Sequence, residues 1–180
     1  AAPASTERIA EIHADPGFGV YFTDHMAVAT WRQDGGWGED GVVPYAPFQL
    51  DPSCAVLHYA QEVFEGLKAY RHADGSIWLF RPEVNAQRMI DSANRLALPP
   101  LPVEDFIASI EALVRADAAW VPTGGGEDSL YIRPFTIAHE DFLGVRPAHT
   151  VRYCCIASPS GPYFSSGVKP VDFWVSRHFS

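Results

Sequence analysis

Residues 129–138 of this 180-residue chain read SLYIRPFTIA. In this stretch Tyr131 and Arg133 alternate with Leu130 and Ile132, so a β-strand would place the first two side chains on one face and the other two on the opposite face. One polar and one apolar face is the period-two pattern of a strand whose apolar side packs on a core. The stretch is therefore predicted to be a strand.

An arginine in the middle of a strand needs a partner for its charge. A guanidinium that is buried without one costs several kcal/mol. Arg133 is therefore expected to face an anion, and the residues alone leave two possibilities open, a structural carboxylate of the protein or a bound ligand. Tyr131 shares its face, and we expect the two side chains to act together.

Two helices are predicted upstream of this strand. Residues 82–98 begin with a proline, which is favoured at the first helical position, and residues 102–121 have the apolar periodicity of a helix that covers a core. The apolar stripes consist of Ala86, Met89, Ile90, Ala93 and Ala97 in the first helix and of Phe106, Ile110, Leu113, Val114 and Val121 in the second.

Further strands are predicted on both sides of the helices. Residues 21–31, 76–80 and 150–158 are rich in β-branched and aromatic residues, and the first of them runs into a glycine-rich turn typical of a hairpin. Residues 54–70 are predicted to begin as a strand and to turn helical near Ala60. Together these segments predict an α/β (α+β) fold in which helices pack on a sheet.

Composition and charge restrict the class of partner. With 47% hydrophobic residues the chain can bury a core, and its length fits about one domain. A net charge of −9 without a basic cluster predicts that the protein binds neither nucleic acid nor an anionic membrane surface. No apolar run is long enough to span a bilayer. We expect small-molecule chemistry.

The three cysteines indicate a reducing compartment. Cys154 and Cys155 are adjacent, and Cys54 is far away in sequence, which fits neither a disulfide framework nor metal-ligand spacing. The stretches TDHM (residues 23–26) and HED (residues 139–141) bring His and carboxylates together, but neighbouring residues in a strand point to opposite faces. A cytoplasmic protein without a metal site is expected.

Several short motifs are similar to those of a known family. TDHM, HYAQEVFEGLKAY (residues 58–70), NAQRM (residues 85–89) and SLYIRP (residues 129–134) resemble the branched-chain aminotransferases, fold-type IV enzymes that use pyridoxal 5′-phosphate (PLP). GPYFSSG (residues 161–167) resembles their interdomain loop. The resemblance extends from Phe18 onward. It implies a homodimeric transferase of amino-acid metabolism that moves an amino group between leucine, isoleucine or valine and 2-oxoglutarate, with glutamate and 2-oxo acids as the other partners.

The same resemblance implies a division into domains. Residues 1–157 would be the small N-terminal domain, residues 158–168 the interdomain loop, and residues 169–180 the first strand of a large C-terminal domain. In the family the sheet of the small domain carries packed helices, and the cofactor lies between the two domains.

The lysines bear on catalysis. PLP-dependent transamination needs a lysine that holds the cofactor as a Schiff base and moves a proton. The chain has only Lys68 and Lys169, and the resemblance gives neither of them this role. The resemblance places the catalytic lysine beyond Ser180, so we expect the chain to be an N-terminal part of the enzyme that is inactive alone.

Arg88 is the candidate cofactor ligand. Periodicity alone places it beside Asn85 and Ser92, off the apolar stripe of its helix, which is typical of a solvated surface arginine. The resemblance instead assigns the arginine of NAQRM to the PLP phosphate. A planar, permanently charged guanidinium suits that role.

The resemblance also assigns the substrate pocket. It places Tyr131 and Arg133 where they can meet the side-chain carboxylate of glutamate, and it surrounds the aliphatic side chain with Phe18, Tyr59, Phe64 and Tyr163. An aromatic-lined pocket suits leucine, isoleucine and valine. Leu143 and Val145 match loop residues that reach the pocket of the neighbouring subunit. From the residues alone, the aromatics also fit an ordinary core and the loop an ordinary surface.

Two alternatives remain from the sequence. D-amino acid aminotransferases and aminodeoxychorismate lyase share the fold type, although GPYFSSG and TDHM favour the branched-chain group. A chain of this length could also be a binding domain that keeps a phosphate or ligand site without catalysis.

Overall fold

The computed structural model describes residues 3–38, 41–123, 127–162 and 170–176. The helices are α1 (Thr6–Ala14), α2 (Ala55–Tyr59), α3 (Pro82–Arg95) and α4 (Val103–Ala116), with a 3₁₀ turn at Ala118–Trp120. The strands are β1 (His25–Arg32), β2 (Gly36–Trp37), β3 (Gly41–Pro44), β4 (Glu62–Phe64), β5 (Leu67–Arg71), β6 (Ile77–Leu79), β7 (Ser129–Ala138) and β8 (Thr150–Ser160). Within these ranges, no helix is both long enough and apolar enough to cross a membrane.

The eight strands form one antiparallel sheet in the order β2-β1-β8-β7-β5-β6, with β3 paired to β1 and β4 paired to β7. Its centre is the pairing of β7 with β8, which runs from Ser129 opposite Ser160 to Ala138 opposite Val151. The strand predicted over residues 129–138 is confirmed at both ends. A mixed fold with helices and a sheet is also confirmed.

Helices α3 and α4 supply much of the core. Phe106, Ile110 and Leu113 of α4 are at most 1% exposed, so the apolar face predicted for this helix is the buried one. In α3 the predicted apolar stripe is largely buried as far as Ala93, but the prediction that Ala97 continues this stripe is wrong. It lies beyond the helix end with a positive φ of 53° and is exposed, and Leu98 is buried instead.

The prediction for residues 54–70 has the two elements in the wrong order. The segment begins as the short helix α2, and Ala60 follows in the left-handed region, with φ of 47°. The chain then forms β4 and β5, both of which pair with β7. An apolar run this short fits helix and strand equally well, and pairing with a distant strand decides between them.

The TDHM residues connect separate parts of the fold. Asp24 accepts hydrogen bonds from the backbone N–H of Ala4 (2.9 Å) and from Nε1 of Trp120 (2.8 Å). His25 contacts the buried Asp117 through its backbone N–H (3.0 Å) and its ring Nδ1 (2.6 Å). These contacts join β1 to the segment before α1 and to the end of α4. Among the residues described, no three His, Cys, Asp or Glu side chains are grouped to hold a metal.

The predicted interdomain loop falls largely outside the described residues. β8 continues through Ser160, so three residues of the range predicted as loop belong to the strand. Residues 163–169 are not described, and residues 170–176 are exposed and form neither helix nor strand. The division into two domains stays a prediction.

Candidate functional site

The strand β7 separates a core face from a second face. Leu130 and Ile132 are fully buried in the hydrophobic core, whereas Tyr131 and Arg133 are half-buried on the opposite side of the strand. Lys68 of β5 pairs directly with Tyr131, and paired residues of neighbouring strands share a face. The second face of the sheet therefore carries the polar side chains of the alternating pattern.

Four of the predicted pocket residues form one cluster on this second face. Nη2 of Arg133 donates a hydrogen bond to Oη of Tyr131 (2.6 Å), and Cζ of Arg133 lies 4.3 Å from the ring centre of Phe64. The rings of Phe18 and Tyr131 are 5.1 Å apart. Phe18 and Phe64 are more than half exposed, so the cluster is an open aromatic surface around a cation. Tyr163 lies outside the described residues.

The charge of Arg133 is unpaired within the described part of the chain. No Asp or Glu oxygen there forms a salt bridge with its guanidinium within 4.0 Å. Its Nε atom is buried and has no hydrogen-bond partner. Of the two possibilities left by the sequence, the described residues supply no structural carboxylate. The arrangement is that of a cation with capacity for an anionic ligand.

Arg88 is held by a carboxylate along one edge. Its Nε donates to Oε1 of Glu65 (2.9 Å) and its Nη2 to Oε2 (2.6 Å), and its side chain is still 57% exposed. Burial raises the pKa of the Glu65 carboxyl, but the hydrogen bonds from Arg88, Asn85 and the Gly66 backbone, together with the charge of Arg88, hold that pKa below its usual range. The hydrogen bond and charge of Glu65 raise the pKa of Arg88. Arg88 is thus a surface arginine with one edge engaged and the rest open.

Glu65 and Asn85 were not among the residues predicted from the sequence. Asn85 donates from Nδ2 to Oε2 of Glu65 (2.9 Å) and to the backbone oxygen of Gly66 (3.1 Å). The sequence does contain a signal for Glu65, because this residue alternates with Val63 and Leu67 in a strand-like segment. The structure shows that all three side chains are buried. An acid on the apolar face of a strand segment requires a cationic partner.

Gly66 brings the two parts of the site together. A Cβ atom at this position would clash with Oη of Tyr131, so only glycine allows the tyrosine ring to lie where it does. The neighbouring residue Glu65 accepts hydrogen bonds from Arg88, and the backbone oxygen of Gly66 accepts one from Nδ2 of Asn85. The turn between β4 and β5 therefore contacts both the Arg88 group and the Tyr131–Arg133 pair.

Replacing Gly66 by alanine is expected to displace the ring of Tyr131 and to destabilise the fold by about 1–3 kcal/mol, as overpacking does elsewhere. The free energy of unfolding from a urea titration measures this loss. Gly35→Ala is the matched control, because a Cβ there would meet nothing within 4 Å. Equal stability of the two variants would show that Tyr131 moves aside without cost.

The remaining predicted residues lie around the loop between β7 and β8. Oη of Tyr59 donates a hydrogen bond to the backbone oxygen of Leu143. Leu143 and Val145 are 59% and 88% exposed. Arg146 fixes the loop through two hydrogen bonds to Glu140 of 2.8 and 3.2 Å. The loop is braced, yet it presents two apolar side chains to solvent.

Comparison with known proteins gives one consistent group. No protein-family model matches the chain. The chain is 56% identical over 177 residues to the branched-chain-amino-acid aminotransferase of Mycolicibacterium smegmatis, in an alignment that covers 98% of this chain and 48% of that protein. The chain spans about half the length of the curated relatives it matches.

Solved structures agree in fold. The branched-chain aminotransferase of Thermoproteus uzoniensis with norvaline has a TM-score of 0.59 and 24% identity, over 78% of this chain and 43% of that one. The T.th. branched-chain amino acid aminotransferase complexed with N-(5′-phosphopyridoxyl)-L-glutamate has a TM-score of 0.55 and 27% identity, over 73% of this chain and 40% of that one. Sequence and fold together show that the chain is similar to about half of the length of branched-chain-amino-acid aminotransferases.

Proposed function

We propose that the protein is a PLP-dependent branched-chain aminotransferase, of which this chain supplies the phosphate-binding arginine and one wall of the substrate pocket. The observation that carries the proposal is Arg133, which lies in an aromatic cluster and has no carboxylate partner among the described residues. The Glu65–Gly66 turn that holds Arg88 also contacts Tyr131 of this cluster. The identity of 56% to a branched-chain-amino-acid aminotransferase supports this reaction over those of other fold-type IV enzymes or a non-catalytic domain.

The residues present fit the cofactor phosphate. The exposed part of Arg88 offers charged hydrogen-bond donors in a planar fork. The hydrogen bonds to Glu65 hold the arginine side chain in one position. PLP supplies the electron sink that transamination requires when it is bound. Arg88 contributes affinity and fixes the position of the phosphate group.

The aromatic cluster fits both kinds of substrate. The rings of Phe18 and Phe64 offer apolar surface to leucine, isoleucine and valine, and burying each methylene group contributes about 0.8 kcal/mol. Arg133, with its hydroxyl partner Tyr131, offers a positive charge to the distal carboxylate of glutamate and 2-oxoglutarate. We assign Tyr59 and Tyr163 to the same pocket on the family's pattern.

The exposed loop supports a homodimer. Leu143 and Val145 are apolar and exposed, and the Glu140–Arg146 pair braces the loop that carries them. We propose that they close the pocket of a neighbouring subunit in a cytoplasmic enzyme. In the same scheme the segment after β8 connects the small domain to a large domain, to which residues 169–180 belong.

Replacing Arg88 by alanine in the full-length protein is expected to weaken PLP binding by about 1.5–3 kcal/mol, because a charge-assisted contact to the phosphate is lost. Lysine at this position should restore only part of the affinity, since it lacks the fork. The measurement is a titration of the apo-protein with PLP, followed by absorbance.

Arg95→Ala is the matched control, because Arg95 lies exposed in the last turn of the same helix α3. It should titrate like the parent protein. If Arg88→Ala also titrates like the parent, Arg88 is a surface arginine held by Glu65 and the phosphate has another ligand.

A further inference from the structure

The two edges of the Arg88 guanidinium are not equivalent. Nε and Nη2 point their hydrogens at the two carboxylate oxygens of Glu65, at 2.9 and 2.6 Å. A guanidinium has five N–H donors in a fixed planar fork. Two are engaged by Glu65. Of the other three, one hydrogen of Nη1 and one of Nη2 lie on the adjacent Nη1–Nη2 edge, and the second hydrogen of Nη1 points toward the Cδ side.

Glu65 is itself fixed in place. Its side chain is 10% exposed, and its backbone N–H donates to the carbonyl oxygen of Pro134 in β7 (2.9 Å). Asn85, one turn before Arg88 on α3, donates from Nδ2 to Oε2 of Glu65. The carboxylate therefore has a backbone anchor on the sheet and a side-chain anchor on the helix.

The depressed pKa of Glu65 is consistent with this arrangement, because it keeps the carboxylate charged at neutral pH. A charged Glu65 holds the fork in one orientation, whereas a free arginine side chain loses rotamer entropy when it is ordered. Orientation supplied in advance lowers the cost of binding.

We propose that Glu65 is a positioning residue for Arg88: it grips the Nε–Nη2 edge so that the Nη1–Nη2 edge faces the phosphate of the cofactor, and Asn85 holds Glu65 for this task. The inference rests on the proposed function, in which Arg88 binds that phosphate.

Charge alone predicts the opposite effect. The Glu65 carboxylate lies beside the proposed site of the phosphate, and the two negative charges repel each other. If this repulsion were the only effect, Glu65→Gln would remove it and strengthen phosphate binding. Positioning predicts weaker binding, because a neutral amide can accept only one of the two arginine hydrogen bonds in the same geometry. The sign of the change separates the two explanations.

The test compares PLP with pyridoxal, which lacks the phosphate, in the full-length apo-protein. For Glu65→Gln we expect a dissociation constant for PLP about tenfold higher and a nearly unchanged constant for pyridoxal, since the lost orientation concerns only the phosphate. Glu62→Gln is the matched control, because Glu62 is an exposed glutamate of β4 three residues away. It should change neither constant.

Asn85→Ala gives a second variant that leaves both Glu65 and Arg88 in place. It should raise the PLP constant by about threefold, with pyridoxal again unchanged, because it removes one of the anchors of Glu65. If Glu65→Gln does not fold, this variant decides.

Three results would overturn the proposal: stronger PLP binding by Glu65→Gln, an equal loss for PLP and pyridoxal, or no change in the variant that folds. Arg88→Ala in the same assay distinguishes the source of a failure. If it weakens PLP but Glu65→Gln does not, only the positioning role is wrong. If neither variant has an effect, the assignment of Arg88 to the phosphate is wrong as well.

Discussion

Replacing Arg133 by glutamine in the full-length protein is expected to weaken the half-reaction with glutamate and 2-oxoglutarate by about 2–4 kcal/mol, and to change the half-reaction with leucine far less. The reason is that Arg133 is a cation without a carboxylate partner among the described residues, on a face with Phe64 and Tyr131. Glutamate brings the missing charge, and leucine does not.

Single-turnover rates with leucine and with glutamate, measured beside the melting temperature, test this expectation. Arg152→Gln is the matched control, because Arg152 lies on the same face of the sheet, in β8, and also has a buried Nε without a hydrogen-bond partner. It is outside the aromatic cluster and should leave selectivity unchanged. Equal losses in both half-reactions of Arg133→Gln, with a lower melting temperature, would show that Arg133 is a structural cation whose partner lies elsewhere in the protein.

The elements with strong local periodicity could be predicted from the sequence. The alternation in residues 129–138 specifies one strand, and the apolar face of residues 102–121 specifies helix α4, without reference to the rest of the chain. The helix ends at Ala116, five residues before the end of the predicted segment, and a 3₁₀ turn follows. Residues 54–70 could not be predicted in this way. Strands β4 and β5 form in this segment because both pair with β7 through backbone hydrogen bonds. Strand β7 is more than sixty residues away in the sequence.

The candidate site likewise has a part that the sequence predicts and a part that depends on contacts between distant segments. The residue pattern indicates that Arg133 needs an anion, and the resemblance names Arg88, but neither indicates what holds Arg88. That depends on the approach of the turn between β4 and β5 to helix α3, which brings Glu65 to Arg88 and Asn85 to Gly66. A buried acid in an alternating apolar segment signals that a partner exists without identifying it.

Lys68 is the amine nearest to the candidate pocket in the described residues. It pairs with Tyr131 in the register of β5 and β7 and is half-buried on the same face of the sheet. Position alone would therefore allow it to compete for the cofactor. The family's pattern gives it no such role, and we propose that the lysine that holds PLP lies outside residues 1–180.

A polypeptide of residues 1–180 is expected to show no transaminase turnover, because neither Lys68 nor Lys169 then holds the cofactor. Circular dichroism first establishes that the polypeptide is folded. Borohydride reduction in the presence of PLP, followed by peptide mapping, identifies any lysine that carries the cofactor, and Lys68→Arg in the full-length protein should keep its activity. Since arginine keeps the positive charge but cannot take the place of a catalytic amine, a large loss of activity in this variant would point to Lys68. Stoichiometric labelling of Lys68 or Lys169 in the short polypeptide, together with turnover, would contradict the expectation.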